Sequence, residues 1–208
     1  MSLANKYPDE EVLCVPTKHL YYELGRWRGL KMPTPDVWQT VAKHSIFKPR
    51  EVVESDSCFK QLISYTLFLS QNKIFVMKRL STQSEDRLHD LLSVGVGGHV
   101  NPVDDISWPN KRSVADVKAI VGLNTIREIR EEVIFAGNPS LSVIGFINDD
   151  GNDVGKVHLG VVSVVQLNSP ILAVKESDKM LGGWVDLTKI GNLDSFESWS
   201  SLILEKVI

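Results

Sequence analysis

The chain has 208 residues, 43% hydrophobic and 24% charged, the composition of an ordinary globular domain long enough to bury one sizeable core. A formal net charge of −3 lacks the basic excess of a general nucleic-acid binder, so a nucleic-acid partner is not expected, but a phosphorylated small molecule held by a metal and local lysines or arginines remains open. Cys14 and Cys58 stand in no metal-ligand spacing and build no disulfide framework. No apolar run approaches bilayer length and no signal-peptide pattern is present, which together predict a cytoplasmic protein with reduced thiols and no membrane partner.

Residues 10–16 read as a short strand closed by Pro16, after which Thr17 caps a helix running to Leu24 and stopped by Gly25. A second helix is predicted over 35–44, with Thr34 as cap and Pro35 at the first helical position. Residues 1–60 thus form an N-terminal extension, which could serve as a covering layer, the arm of a homodimer or a substrate lid. Trp27 and Trp38 within it are expected to pack rather than stack on a base.

The pattern then turns to β. Segments 64–69 and 73–78 form a hairpin about Gln71-Asn72, and Lys78 and Arg79 at its exit are candidate contacts for substrate phosphates. Residues 81–90 are a polar loop with Arg87 and His89 as weaker candidates. An apolar run at 91–96 leads into Gly97-Gly98-His99-Val100-Asn101-Pro102-Val103-Asp104. Paired glycines at a strand end let backbone approach a ligand closely and expose a carbonyl.

In segment 105–124, Trp108-Pro109-Asn110 is a turn signal. Ser113 with Asp116 is a variant capping box before Val114, Val117, Ile120 and Val121 at helical spacing, and this helix either continues into the next or breaks at Gly122. In Arg127-Glu128-Ile129-Arg130-Glu131-Glu132, helical spacing puts Glu128, Glu131 and Glu132 on one face. Ile126, Ile129 and Val133 fall on a stripe expected to be buried. Like charges four apart cost an isolated helix roughly 0.2–0.5 kcal/mol. A divalent cation reverses that cost, since hard cations take oxygen ligands from a few carboxylates together with substrate phosphates.

Two strands, 141–148 and 156–167, follow around a hairpin turn at Asp149-Asp150-Gly151-Asn152-Asp153, which lacks the ligand spacing of a calcium loop. Residues 171–183 connect to a late strand at Gly182-Gly183-Trp184-Val185-Asp186-Leu187. The last helix, 194–206, packs Phe196, Trp199, Leu202 and Leu204 or Ile203 on the sheet.

The glycine pair and the acidic helix resemble the signature of the Nudix hydrolase family: glycine, five residues, glutamate, seven residues, then Arg-Glu-aliphatic-any-Glu-Glu-any-Gly-aliphatic. Gly98 falls on the first glycine, Asp104 on the first glutamate, and Arg127, Glu128, Ile129, Glu131 and Glu132 on the core. The box is split. Asp104 is one methylene short, 22 residues instead of seven separate it from Arg127, and Ile134 holds the closing glycine position, leaving Gly137 as the substitute helix stop. The resemblance implies an α/β/α sandwich with a mixed central sheet over residues 61–208, with 105–124 containing the insertion.

It also implies Mg²⁺ or Mn²⁺ bound by Glu128 and Glu132, by Glu131 directly or through water, and by the Gly98 carbonyl, with Arg127 orienting Glu128. The loop before the late strand often carries a further acid acting as general base or extra ligand; Glu176 is preferred there to Asp178. His99 is a candidate substrate contact, although a structural hydrogen bond is the commoner use of such a histidine. The implied activity is metal-dependent cleavage of a phosphoanhydride bond in a nucleoside diphosphate derivative or related organic pyrophosphate, with Glu176, Glu131 or Glu132 taking the proton of the attacking water. The alternative is a non-catalytic Nudix-fold module that senses a nucleotide or a protein. Isomerase chemistry on a similar fold would need a placed cysteine, and both cysteines lie far upstream.

Overall fold

In the computed structural model, which describes residues 9–79, 91–105, 112–135, 140–170, 172–175 and 180–207, one long strand organises the sheet. This is β4 (Phe59–Ser70). It pairs in parallel with β10 (His158–Gln166) over its length and antiparallel with β1 (Glu11–Pro16), β7 (Gly95–Val96) and the start of β5 (Lys73–Arg79). The main path runs β12 (Met180–Asp186), β5, β4, β10, β9 (Ser140–Asn148), β2 (Gly29–Lys31). β3 (Ile46–Pro49) joins through β1 and β6 (Leu92–Ser93) through β5, so the sheet is mixed.

Alternation along the strands separates the two faces. Leu62, Phe146, Leu159 and Val161 point to one side, where they meet Leu20 of α1 (Thr17–Leu24), Trp38 and Val41 of α2 (Pro35–His44), and Val117, Ile120 and Val121 of α4 (Val114–Glu132). Tyr65, Leu67, Ile147 and Val162 point to the other, against Trp199, Leu202, Ile203 and Leu204 of α6 (Ser198–Val207). The layers are therefore α/β/α. Among the described residues, no helix is long and apolar enough to cross a membrane.

The N-terminal block is woven into this sandwich. β1, β2 and β3 are sheet strands, and α1 and α2 cover one face together with α4. Trp38 is buried edge-on against Phe146, so it packs; Trp27 meets Tyr21 edge-on. Both helices fall where the sequence places them, but neither Thr17 nor Thr34 caps through its side chain, and the Thr17 hydroxyl donates instead to the Ser57 carbonyl. Gly25 stops α1 with φ +70, the left-handed region in which a glycine is unstrained. Cys14 is buried and Cys58 exposed, both as free thiols.

The hairpin of β4 and β5 closes at Gln71 but holds only at Leu69–Ile74 and Ser70–Lys73. Beyond that β5 leaves β4 to pair with β12 throughout. The hairpin expected about 149–153 is present, since β9 and β10 pair antiparallel, but its connection is longer than a turn. The chain forms α5 (Asp153–Val157) before entering β10, because the Asn152 side chain caps that turn at Gly155 N–H. Its acids are ion-pair anchors. Asp149 pairs with Arg28 at 2.9 Å, and Asp150 accepts from Tyr21 at 2.5 Å and from the fully buried Lys60 at 2.6 Å. Burial lowers the Lys60 pKa, and Asp150 opposes that shift.

Removing one partner of a buried ion pair costs about 3–5 kcal/mol, because the other charge stays desolvated. The Asp150→Ala variant is expected to lose stability at the lower end of that range, since the Gly155 carbonyl still accepts from Lys60. Urea denaturation checks this; an unchanged midpoint would contradict it.

Candidate active site

The acidic helix begins well inside the insertion. Ser113 and Asp116 form the capping box that starts α4, with Ser113 Oγ accepting from Asp116 N–H, and the helix runs unbroken through Gly122 to Glu132. Its core-facing stripe is Val117, Ile120, Val121, Asn124, Thr125, Glu128 and Ile129. This stripe corrects the expected apolar face, because Ile126 is 41% exposed while Ile129 and Val133 are buried as foreseen. The same face changes from apolar to polar halfway along, and the polar half carries Glu128 inward. Thr125 is satisfied locally by the Val121 carbonyl.

What faces that polar half is the glycine segment. It runs antiparallel along β4, with Ser64 N–H donating to the Gly98 carbonyl at 3.0 Å and Val100 N–H to the Leu62 carbonyl at 3.2 Å. A Cβ on residue 97 would lie 1.6 Å from the Ser64 carbonyl oxygen, and one on residue 98 would lie 2.5 Å from the Glu128 carboxylate. The two glycines thus serve close packing, the first against β4 backbone and the second against a box carboxylate. The Gly98 carbonyl is already used once and keeps its second lone pair.

Arg127 ties this segment to the helix. Its guanidinium forks onto Asp104, Nε to Oδ1 at 3.1 Å and Nη2 to Oδ2 at 3.0 Å. Nη2 also donates to the His99 carbonyl and to Asn101 Oδ1, while Nη1 donates to Glu128 Oε1 at 2.8 Å and lies 3.6 Å from Glu131. Asp104 also accepts from Asn101 N–H and from Asn124 Nδ2, which donates as well to the His99 carbonyl. The shortened acid is therefore an anchor for Arg127. Asn101 and Asn124 were missed in the sequence; Asn124 could have been found by carrying the Val117–Ile120–Val121 periodicity through Gly122. Asp105 and Arg112, both buried and 2.7 Å apart, pin the two ends of the inserted loop.

Burial pushes the Glu128 carboxyl above its ordinary value of 4.5; Arg127 opposes the shift, and Glu131 and Asp104 add to it. Glu131 is 58% exposed and Glu132 half-buried on the last turn. The helix stops without a left-handed glycine, since Val133 is extended and starts β8 (Val133–Phe135), paired with β11 (Leu172–Val174). Ile134 therefore needs no glycine substitute, and Gly137 lies outside the described residues. So do Glu176, Asp178, Arg87 and His89. Lys175, just before Glu176, donates its N–H to the Glu132 carbonyl and its ammonium to the Arg130 carbonyl.

Lys78 is half-buried on β5, paired with Leu181 and Leu92; Arg79 follows opposite Met180, its side chain outside the described set. The His99 ring is taken up by His158, with Nε2 atoms 3.3 Å apart, and burial lowers the pKa of both imidazoles. Beside Arg127 a cleft of about 420 Å³ is lined by Asp9, Glu10, Glu11, Asn101, Pro102 and Val103.

No family model matches the chain. Protein YmaB of Bacillus subtilis strain 168 is 34% identical over 158 residues, 73% of each chain. The crystal structure of Tm1382, a candidate Nudix hydrolase, superposes with a TM-score of 0.76 at 25% identity, covering 95% of this chain and 98% of that one. That likeness includes the N-terminal block.

Two outcomes follow from the packing. Gly97→Ala forces the backbone off β4 and is expected to cost about 1–3 kcal/mol by thermal unfolding, whereas Gly98→Ala meets the end of a side chain, the Glu128 carboxylate, rather than backbone and should cost less. Equal losses would contradict the assignment. A raised carboxyl pKa means that the folded state holds the proton more tightly than the unfolded state, so the stability Glu128 contributes is present below its unfolded pKa and lost as pH rises through its folded pKa. Glu128→Gln should therefore melt higher than the parent at pH 7, and the difference should shrink toward pH 4. A lower melting temperature at pH 7 would refute this.

Proposed function

The chain belongs to the Nudix superfamily, in one family with YmaB, and on that premise we propose that it is a metal-dependent hydrolase of a phosphoanhydride bond in a nucleoside diphosphate derivative or related organic pyrophosphate. The observation that carries this reading is the Arg127 fork, which holds the glycine segment and the glutamate helix together across the insertion. The donor set fits a hard divalent cation. Glu128 sits in a space that only a glycine at 98 leaves open, and Glu131 and Glu132 follow on the last turn of the same helix.

Glu128 and Glu132 would hold Mg²⁺ or Mn²⁺ directly, Glu131 directly or through water, with the second lone pair of the Gly98 carbonyl completing the protein ligands. Such an ion would neutralise the cluster, polarise phosphoryl oxygens and acidify a bound water. Arg127 orients Glu128. Glu176, or failing it Glu131 or Glu132, accepts the proton of the attacking water, and Lys78 and Arg79 contact the substrate phosphates. His99, engaged with His158, would reach substrate through its neighbours only.

One observation favours a non-catalytic sensing or protein-interaction module. Among the described residues, the three potential ligands whose donor atoms gather within 4.8 Å are Glu54, His99 and His158, and the box glutamates do not gather so closely. Activity separates the readings. A panel of nucleoside diphosphate derivatives with Mg²⁺ and Mn²⁺ should show phosphate or monophosphate release, and Glu132→Gln should abolish it with the fold intact. Glu176→Gln should lower kcat by about 10²–10⁴-fold if it is the general base. Unchanged turnover in Glu132→Gln would overturn the hydrolase assignment.

A further inference from the structure

The geometry points to a second metal site, separate from the box, in which Glu54, His99 and His158 bind a zinc-class transition-metal ion. The three ligands come from three parts of the chain: Glu54 caps the C-terminus of α3 (Arg50–Val53), His99 follows the glycine pair, and His158 opens β10. Their donor atoms lie within 4.8 Å of one another. The two Nε2 atoms are 3.3 Å apart. A tetrahedral zinc with Zn–N bonds of about 2.0–2.1 Å holds two imidazole nitrogens at about that separation. The Glu54 carboxylate, within 4.8 Å of both nitrogens, would close the third side.

Two features support a metal beyond the distances. His158 Nδ1 lies 2.7 Å from the Val154 carbonyl, an acceptor only, so Nδ1 carries the proton and Nε2 turns its lone pair toward His99. An outer hydrogen bond of this kind is what sets a ligating histidine's tautomer. Independently, Gln61 is fully buried opposite His158 in the sheet and its Nε2 contacts Glu54 at 3.3 Å, yet its Oε1 has no hydrogen-bond partner. A water bound as fourth ligand would donate to that oxygen.

The donor set of two imidazoles and one carboxylate suits zinc rather than magnesium. Bound there, the ion would staple the N-terminal block and β10 to the residue next to Gly98, setting the segment against which Glu128 packs. It would escape a search for cysteine spacing, since no cysteine takes part.

The test uses the full chain, loaded with zinc, dialysed and assayed by elemental mass spectrometry, with cobalt substitution as a spectroscopic readout. The parent and the box variant Glu132→Gln should each retain about one zinc per chain. His158→Gln and Glu54→Gln should each lose affinity by more than about 100-fold, beyond the 10–100-fold cost of losing an outer partner, and the visible cobalt bands should vanish with it. Circular dichroism reports folding; should His158→Gln not fold, Glu54→Gln, at a partly solvated position, decides. Absence of stoichiometric zinc in the parent, retention unaffected by Glu54→Gln, or loss in Glu132→Gln would each overturn the site.

Discussion

The five-donor fork of Arg127 is the contact on which the two halves of the candidate site depend. A guanidinium donates in a fixed plane, so one side chain can hold both oxygens of Asp104, the backbone carbonyl of His99, Asn101 and the carboxylate of Glu128 at once. A lysine could offer the charge but not this geometry. With the fork in place, the length of chain between Asp104 and Arg127 is immaterial to the box, because the separation is bridged in space. Asp105 and Arg112 make a second buried ion pair within the inserted segment.

The second constraint is electrostatic. Glu128 is carried inward on a face that began as core, and it is stabilised by one cation while Glu131 and Asp104 oppose its ionisation. A carboxylate placed there costs stability at neutral pH, a cost that a cation bound at the box, as proposed, would offset. The glycine at 98 belongs to this arrangement through space alone, without an unusual backbone conformation.

Much of the fold was legible. Pro35 and Gly25 mark helix ends whose chemistry is local, and the amphipathic C-terminal helix buries Trp199, Leu202 and Leu204 as its period requires, although it begins at Ser198 and Phe196 is buried from the extended segment before it, bridged to Leu92. The acidic helix is legible from Glu128, Glu131 and Glu132, and of the stripe Ile126, Ile129 and Val133 expected to be buried only Ile126 is exposed, because the buried face continues the register of Val117, Ile120 and Val121 through Gly122. Long-range partners were not readable. The role of Asp104 depends on Arg127 and Asn124 arriving from another element, the acids of 149–150 on Arg28, Tyr21 and Lys60, and the pairing of His99 with His158 on β4 lying between their strands. None of these contacts has a short-range spacing that sequence could reveal.

Arg127 and Asp104 form one clamp across the box. A double-mutant cycle of Asp104→Asn and Arg127→Gln tests it most directly, with Mn²⁺ affinity measured by electron paramagnetic resonance and unfolding free energy by urea. Each single variant should weaken Mn²⁺ binding, the double variant should be hardly worse than either, and the interaction energy should fall in the range of about 0.5–3 kcal/mol seen for contacting residues. Strictly additive losses, or Mn²⁺ binding indifferent to both changes, would contradict it.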